Sequence, residues 1–334
     1  MNKFLFEMFV EAMETRQPIA CTMEMTKQCN FRCLHCYITE KKPIFISSEK
    51  AINFIDQIVD MGCLYLTLTG GECLLHPDFN TIYKYAVKKG LIVSVFTNGS
   101  ILTDENLNIF KLYPPKIIEI TMYGYSNEMY ELITKNKMFD VVKKNIISLK
   151  DNGINVMVKM FVMKENISDF EQIKRFAEEC NVEFNFDFII IDSAGSESLE
   201  HQINLDEIDN LKKISGRSFE FIEDEWHKAI KPLVANKLLK CGAGRINAHL
   251  SADNYLYMCE TLYNWFISLD TFDFKTAWKS FDHYVNLEDS GKCRNCNKYK
   301  SCLNCSGRSL LFNGTTEINP VPFFCDLENK LSLK

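Results

Sequence analysis

Short apolar runs alternate with amphipathic stretches from residue 19 to about residue 191. The runs are Ile19–Met25, Leu64–Leu68, Leu91–Phe96, Ile117–Met122, Val156–Val162 and Phe184–Ile191, each rich in β-branched or aromatic residues. Runs of this length and composition predict strands buried in a parallel sheet. Between them, Ala51, Ile52, Ile55, Ile58 and Val59 share one helical face behind the capping residues Ser47 and Ser48, and Gly62 closes that helix. Ser168 and Glu171 predict a capping box ahead of Phe170, Ile173, Phe176 and Ala177. Strand–helix alternation of this kind means βαβ units. The pattern predicts an α/β fold, a partial TIM-like (β/α)6 barrel over residues 19–192, with its ligand site at the C-terminal ends of the strands.

Residues 1–18 form an N-terminal extension, and 193–240 read as a partly helical connector that Asp192-Ser193 and Ser196-Glu197 open. The segment 241–334 has short strand-like pieces such as Tyr255–Met258 and loops punctuated by cysteine. It reads as a small domain organised by metal more than by a large core.

Charge and composition narrow the function. The 38 basic and 44 acidic residues leave a net charge of −6, which speaks against nucleic acid as a partner. No apolar run is long enough to span a membrane, and Glu7, Glu11 and Glu14 are wrong for a signal peptide. The expected location is the cytoplasm. In such a reducing compartment the 14 cysteines are metal-ligand candidates before they are disulfides. Cys21, Cys63, Cys73 and Cys180 are scattered and read as small core residues. The others cluster.

The first cluster is Cys29, Cys33 and Cys36, directly after the first strand. Three thiolates so close in sequence can hold a cuboidal [4Fe–4S] cluster and leave one iron open to a small ligand. A zinc site with a distant fourth ligand is the alternative. The segment resembles the signature of the radical S-adenosylmethionine (SAM) superfamily, C-x3-C-x-aromatic-C, with His35 at the aromatic position. Further motifs follow in that family's order. Gly70-Gly71-Glu72 resembles its GGE motif, which implies a site for the SAM ammonium. Thr97-Asn98-Gly99 is similar to its third-strand segment. Ile120–Gly124 is similar to the segment that supplies a hydroxyl to the SAM ribose, which nominates Thr121. Lys159 is a candidate for the SAM carboxylate, with an exposed lysine as the bland reading.

The second cluster is Cys241, Cys259, Cys293, Cys296, Cys302, Cys305 and Cys325. Alone, the run from Cys293 to Cys305 suits a zinc knuckle equally well. After a radical SAM domain it resembles a SPASM-type extension, with Asn254 where that family has glycine and a final spacing one residue short. The resemblance implies two auxiliary Fe–S clusters, one on Cys241, Cys259 and Cys305 and one on Cys293, Cys296, Cys302 and Cys325. The first has three thiolates only; Asn247, His249, solvent or a substrate thiolate would complete it. Glu260 follows Cys259 and is a candidate general base, or else a surface carboxylate.

The resemblance implies a maturase of peptides or proteins. In it a 5′-deoxyadenosyl radical takes hydrogen from a peptide, a thioether or carbon–carbon crosslink forms, and an auxiliary cluster accepts an electron. A flavodoxin- or ferredoxin-type donor is implied as a partner. With only about 18 residues ahead of the first strand, leader recognition is expected from a separate protein, from the C-terminal domain or from the core peptide. Formylglycine formation and small-molecule oxidation are the enzymatic alternatives. A zinc or electron-transfer protein is the non-enzymatic one.

Overall fold

The computed structural model describes residues 3–36, 38, 41–190, 200–217, 219, 224–298, 302, 304–313 and 317–332. Chain order is α1 (Lys3–Thr15), β1 (Ala20–Glu24), α2 (Ser48–Asp60), β2 (Tyr65–Thr69), α3 (Phe79–Lys88), β3 (Ile92–Thr97) and α4 (Asp104–Leu112). Next come β4 (Ile117–Thr121), α5 (Asn127–Thr134), α6 (Phe139–Asp151), β5 (Val156–Phe161), α7 (Phe170–Glu179) and β6 (Glu183–Asp187). The rest of the chain adds α8 (Leu205–Ser215), α9 (Glu225–Val234), β7 (Asn247–Leu250), β8 (Tyr255–Tyr257) and β9 (Phe266–Ser268). Four helices close it: α10 (Phe274–Ser280), α11 (Asp282–Asn286), α12 (Ser306–Asn313) and α13 (Pro322–Ser332).

All six expected strands are present, parallel, and in sequence order from β6 to β1 across the sheet. This is the partial barrel the pattern predicts. The sheet then continues past β1. Strand β7 pairs parallel with β1, and β8 and β9 add antiparallel, so the first part of the cysteine-rich segment belongs to one nine-stranded sheet. One apolar core runs from Leu66, Val95 and Ile120 through Leu250 to Phe274, Trp278 and Phe281. The C-terminal third therefore has more core than its cysteines suggest.

The strands are not buried equally on both faces. Leu66, Leu68, Val93, Val95, Ile118, Ile120, Val156, Val158 and Met160 are buried, whereas the residues between them are mostly half-buried. Because strand side chains alternate, the register places Thr22, Thr67, Ser94, Glu119, Thr121, Lys159, Asn185 and His249 together on the opposite, concave face. A closed TIM barrel fills this space with layers of branched apolar side chains. Here it is lined by hydroxyls and charges, which suits a polar ligand better than a packed core.

Helix starts show where local signals held. Ser47 caps α2 through the Lys50 amide as expected, and Ser48 is the first helical residue. The Ser168–Glu171 capping box does not form. Residues Ile167–Asp169 make a 3-10 turn, α7 starts at Phe170 with no side-chain cap, and the Asp169 carboxylate accepts from the Tyr125 amide at 2.7 Å instead. Cys21, Cys63 and Cys73 are buried, while Cys180, placed in the core by its sequence spacing, is only half-buried at the end of α7. The connector residues Asp192, Ser193, Ser196 and Glu197 lie outside the described residues. Among those described, no helix is long and apolar enough to cross a membrane.

Candidate functional site

The cysteine loop leaves β1 and is held tightly against the Gly70-Gly71 turn. Gly71 donates to the Thr26 carbonyl at 2.7 Å and Glu72 to that of Gln28 at 2.9 Å. A Cβ on Gly71 would sit 2.3 Å from the Gln28 oxygen, and one on Gly70 2.4 Å from that of Thr26. Backbone cannot yield as a flexible side chain can, so glycine is required for this approach. At its far end the loop is fixed by α5, where Arg32 and Leu34 donate to the carbonyls of Thr134 and Ile133.

Glu72 is fully enclosed, at 1 % exposure. Its carboxylate accepts from the Thr97 hydroxyl at 2.7 Å, the Asn98 amide at 2.7 Å and the Leu74 amide at 3.0 Å. Burial raises its pKa, and these donors oppose the rise. The carboxylate thus joins the ends of β2 and β3. Asn98 passes the linkage on to the loop, donating to Asn30 Oδ1 at 2.9 Å and toward the Cys29 sulfur at 3.8 Å. Glycines, Glu72, Thr97 and Asn98 are therefore parts of one scaffold around the first cysteine.

The three thiols of this loop each meet a donor. Cys29 accepts from the Phe31 amide at 3.3 Å, Cys33 faces the Tyr123 hydroxyl, and Cys36 accepts from the Lys41 ammonium at 3.2 Å. Burial pushes the free Cys33 thiol up to about 12. Cys33 and His35 are half-buried. The His35 ring lies between Tyr123 and Phe161, with centroids 5.7 and 5.2 Å away, and its Nδ1 is buried without a partner. Burial, then Lys41 and His201, bring its pKa down to about 4, so it is neutral at pH 7.

Thr121 ends β4 in register with Lys159 on β5. The Lys159 ammonium lies 5.5 Å from the Phe161 ring centre. It also opposes the burial that raises the Glu119 pKa.

Several of the seven C-terminal thiols lie close enough to influence one another. Cys241 is influenced by Cys305 and Cys259, and Cys259 by Cys305. Cys293 is influenced by Cys325, Cys302 and Cys296, and Cys302 by Cys325 and Cys296. The SPASM resemblance groups Cys241, Cys259 and Cys305 apart from Cys293, Cys296, Cys302 and Cys325. Among the described residues no three His, Cys, Asp or Glu side chains stand in a closed metal cage. Asn254 adopts φ 66°, the left-handed conformation expected where the family has glycine. Glu260 is exposed beside Cys259. His249 turns Nε2 toward Glu24 at 3.4 Å, with Nδ1 buried and unpartnered, and Asn247 is exposed.

Several residues here escaped the sequence reading. Tyr123 stood inside the segment that nominated Thr121, but nothing local marked it as a thiol partner. Lys41 resembled any loop lysine. Glu24 was hidden in an apolar run, and only the β1–β7 pairing reveals its histidine.

Fold, glycine turn and cysteine loop are arranged as the radical SAM resemblance implies. Residues 23–177, just under half of the chain, match the model of the Radical SAM superfamily, and the chain is similar to peptide-modifying maturases. It is 35% identical over 158 residues to the antilisterial bacteriocin subtilosin biosynthesis protein AlbA of Bacillus subtilis (strain 168). That match covers 46% of this chain and 35% of AlbA, so about a third of the relative's length is spanned. The mycofactocin maturase MftC of Mycobacterium tuberculosis (strain ATCC 25618 / H37Rv) is 23% identical, over 95% of this chain and 85% of its own. Among solved structures, Streptococcus suis SuiB bound to the precursor peptide SuiA superposes with a TM-score of 0.74 at 12% identity, covering 95% of this chain and 79% of SuiB. At that identity the likeness shows the fold.

Proposed function

We propose that the protein is a peptide maturase that forms an intramolecular thioether or carbon–carbon crosslink. The observation that carries this reading is the cysteine arrangement: one trio at the mouth of a polar concave face, and two further sets drawn from Cys241, ahead of β7, and from six cysteines after it. Proteins with overlapping sequence or fold, AlbA, MftC and SuiB, are named for bacteriocin biosynthesis, for maturation and for a bound precursor peptide.

The residues fit the cofactors. Cys29, Cys33 and Cys36 would hold a [4Fe–4S] cluster, each sulfur keeping its hydrogen-bond donor. The unpartnered Nδ1 of His35 and the hydroxyl of Thr121 would meet the adenosine part of SAM, and Lys159 its carboxylate. The backbone of Gly70 and Gly71 would receive the SAM ammonium, with Glu72 holding that turn against Thr97 and Asn98. When bound, the cluster and SAM together supply a 5′-deoxyadenosyl radical that can remove hydrogen from an unactivated carbon. The chain's own task is to orient the peptide on the concave face, exclude water and provide a proton acceptor, for which Glu260 is the candidate. Cys241, Cys259 and Cys305 would hold one auxiliary cluster and Cys293, Cys296, Cys302 and Cys325 a second, with a flavodoxin- or ferredoxin-type protein delivering electrons. Formylglycine formation is the second reading.

Anaerobic reconstitution followed by SAM and dithionite tests the first step. The expected result is 5′-deoxyadenosine; a colourless zinc protein that leaves SAM intact would overturn the reading. Co-expression with a short Cys-rich peptide, sought in the neighbouring reading frames, tests the second step through a mass loss of two hydrogens.

A further inference from the structure

The three thiols of the first loop have unlike donors. Cys29 meets neutral groups, the Phe31 amide at 3.3 Å and the Asn98 side chain at 3.8 Å. Cys33 meets the Tyr123 phenol. Among the described residues only Cys36 accepts from a cation, the Lys41 ammonium, at 3.2 Å and in a part-buried setting. A charge seated this close to a part-buried sulfur is screened less than one in bulk water. Lys159 stands instead with Glu119 and Phe161.

We infer that Lys41 sets the reduction potential of the cluster held by Cys29, Cys33 and Cys36, acting through its contact with Cys36. This rests on the reading that those cysteines hold the cluster. Reduction transfers one electron from a low-potential donor, which is oxidised, and no covalent bond changes. The added negative charge is stabilised by an adjacent cation, and hydrogen bonds to cluster sulfurs shift potential in the same direction. Lys41 thus makes reduction easier, and it is a positioning charge with no required contact to substrate.

The test is a redox titration, followed by electron paramagnetic resonance, of the full-length reconstituted protein without SAM or peptide. The signal absent from a Cys29→Ala/Cys33→Ala/Cys36→Ala variant identifies the cluster in question. Lys41→Gln is expected to make reduction about tenfold less favourable, roughly 59 mV for one electron. Lys41→Arg should keep the parent potential, and Lys41→Met serves if the Gln variant loads iron poorly. An unshifted potential in the neutral variants, or an Arg variant that falls as far as they do, would overturn the inference. A parent protein with no signal assignable to the trio would sink the cluster assignment itself.

Discussion

Glu24, at the end of β1, places its carboxylate 3.4 Å from Nε2 of His249 on β7, and the two residues are 4 % and 3 % exposed. The pair fastens the barrel to the strand that begins the cysteine-rich segment. Removing His249 leaves the buried Glu24 carboxylate with only a long hydrogen bond from the Ala252 amide at 3.4 Å, and removing Glu24 takes the partner from His249 Nε2, which costs more than the pair contributes. His249→Leu or Glu24→Met alone should therefore destabilise the fold by about 3 kcal/mol. The double variant should lose clearly less than the sum of the two, because neighbouring effects are not additive. Urea unfolding of the four proteins checks this, and simple additivity would show that the two side chains are uncoupled.

Gly71→Ala should displace the cysteine loop, because the new Cβ would meet the Gln28 carbonyl at 2.3 Å. Neither backbone can retreat without breaking the Gly71–Thr26 and Glu72–Gln28 hydrogen bonds. Iron bound per chain should fall and SAM affinity should drop at least about tenfold, about 1.4 kcal/mol. Gly90→Ala is the control. It has the same chemistry at a turn with nothing within 4 Å, and its φ of +91° limits the cost to backbone strain. It should keep both iron and SAM affinity.

Strand positions were legible because Leu66, Leu68, Ile118, Ile120, Val156 and Val158 are branched residues on the outer face, packed under helices. Read as continuous runs, the strands looked buried on both sides. Thr67, Glu119 and Lys159 interrupt that pattern, and their shared face emerges only once the register is known. The cysteine trio and the GGE and TNG segments were visible as motifs because local sequence builds their turns. The internal linkage, Glu72 to Thr97 and Asn98 to Asn30, was not, since it joins separate loops. Asn254 could be read because its left-handed backbone is a local preference, whereas the Ser168 cap failed because a tertiary partner, the Tyr125 amide, engages Asp169.

Arg16 binds the N-terminal extension to the C-terminal helices. Its guanidinium donates to the carbonyls of Gly244 at 2.8 Å and Trp278 at 3.1 Å, and it pairs with Asp282. The Trp278 indole returns a hydrogen bond to the Arg16 carbonyl at 2.8 Å. Arg16→Ala would strand two carbonyls in a largely enclosed site, at a cost of about 2–3 kcal/mol. Hydrogen exchange should show the loss concentrated in α1 and α10. An even loss across the sheet would argue against an anchoring role.

Asp253 supplies a pH-dependent fastening. Burial alone would raise its pKa, but the Lys27 ammonium at 2.6 Å and the Ser251 hydroxyl at 2.7 Å outweigh that and hold it below 3.8. A depressed carboxyl stabilises the fold above its unfolded pKa, and that contribution disappears as pH falls through the folded value. Asp253→Asn should cost about 1 kcal/mol at neutral pH. The difference from the parent should stay constant down to about pH 5 and shrink below the ordinary carboxylate pKa of 3.8. A gap that instead widened on acidification would contradict the depressed pKa.

The two C-terminal cysteine sets make a quantitative claim about iron. If Cys241, Cys259 and Cys305 serve one cluster, Cys259→Ala and Cys305→Ala should each remove the same fraction of iron, and the double variant should remove no more. Residues that act as a unit are not additive in this way. A Cys296→Ala change belongs to the other set, where Cys293, Cys302 and Cys325 influence one another, so its loss should add fully to that of Cys259→Ala. Iron and sulfide assays on the anaerobically reconstituted variants, alongside Cys180→Ala as a thiol outside every set, supply the comparison. Interleaved losses between Cys259 and Cys296 would show that the thiols share a single centre.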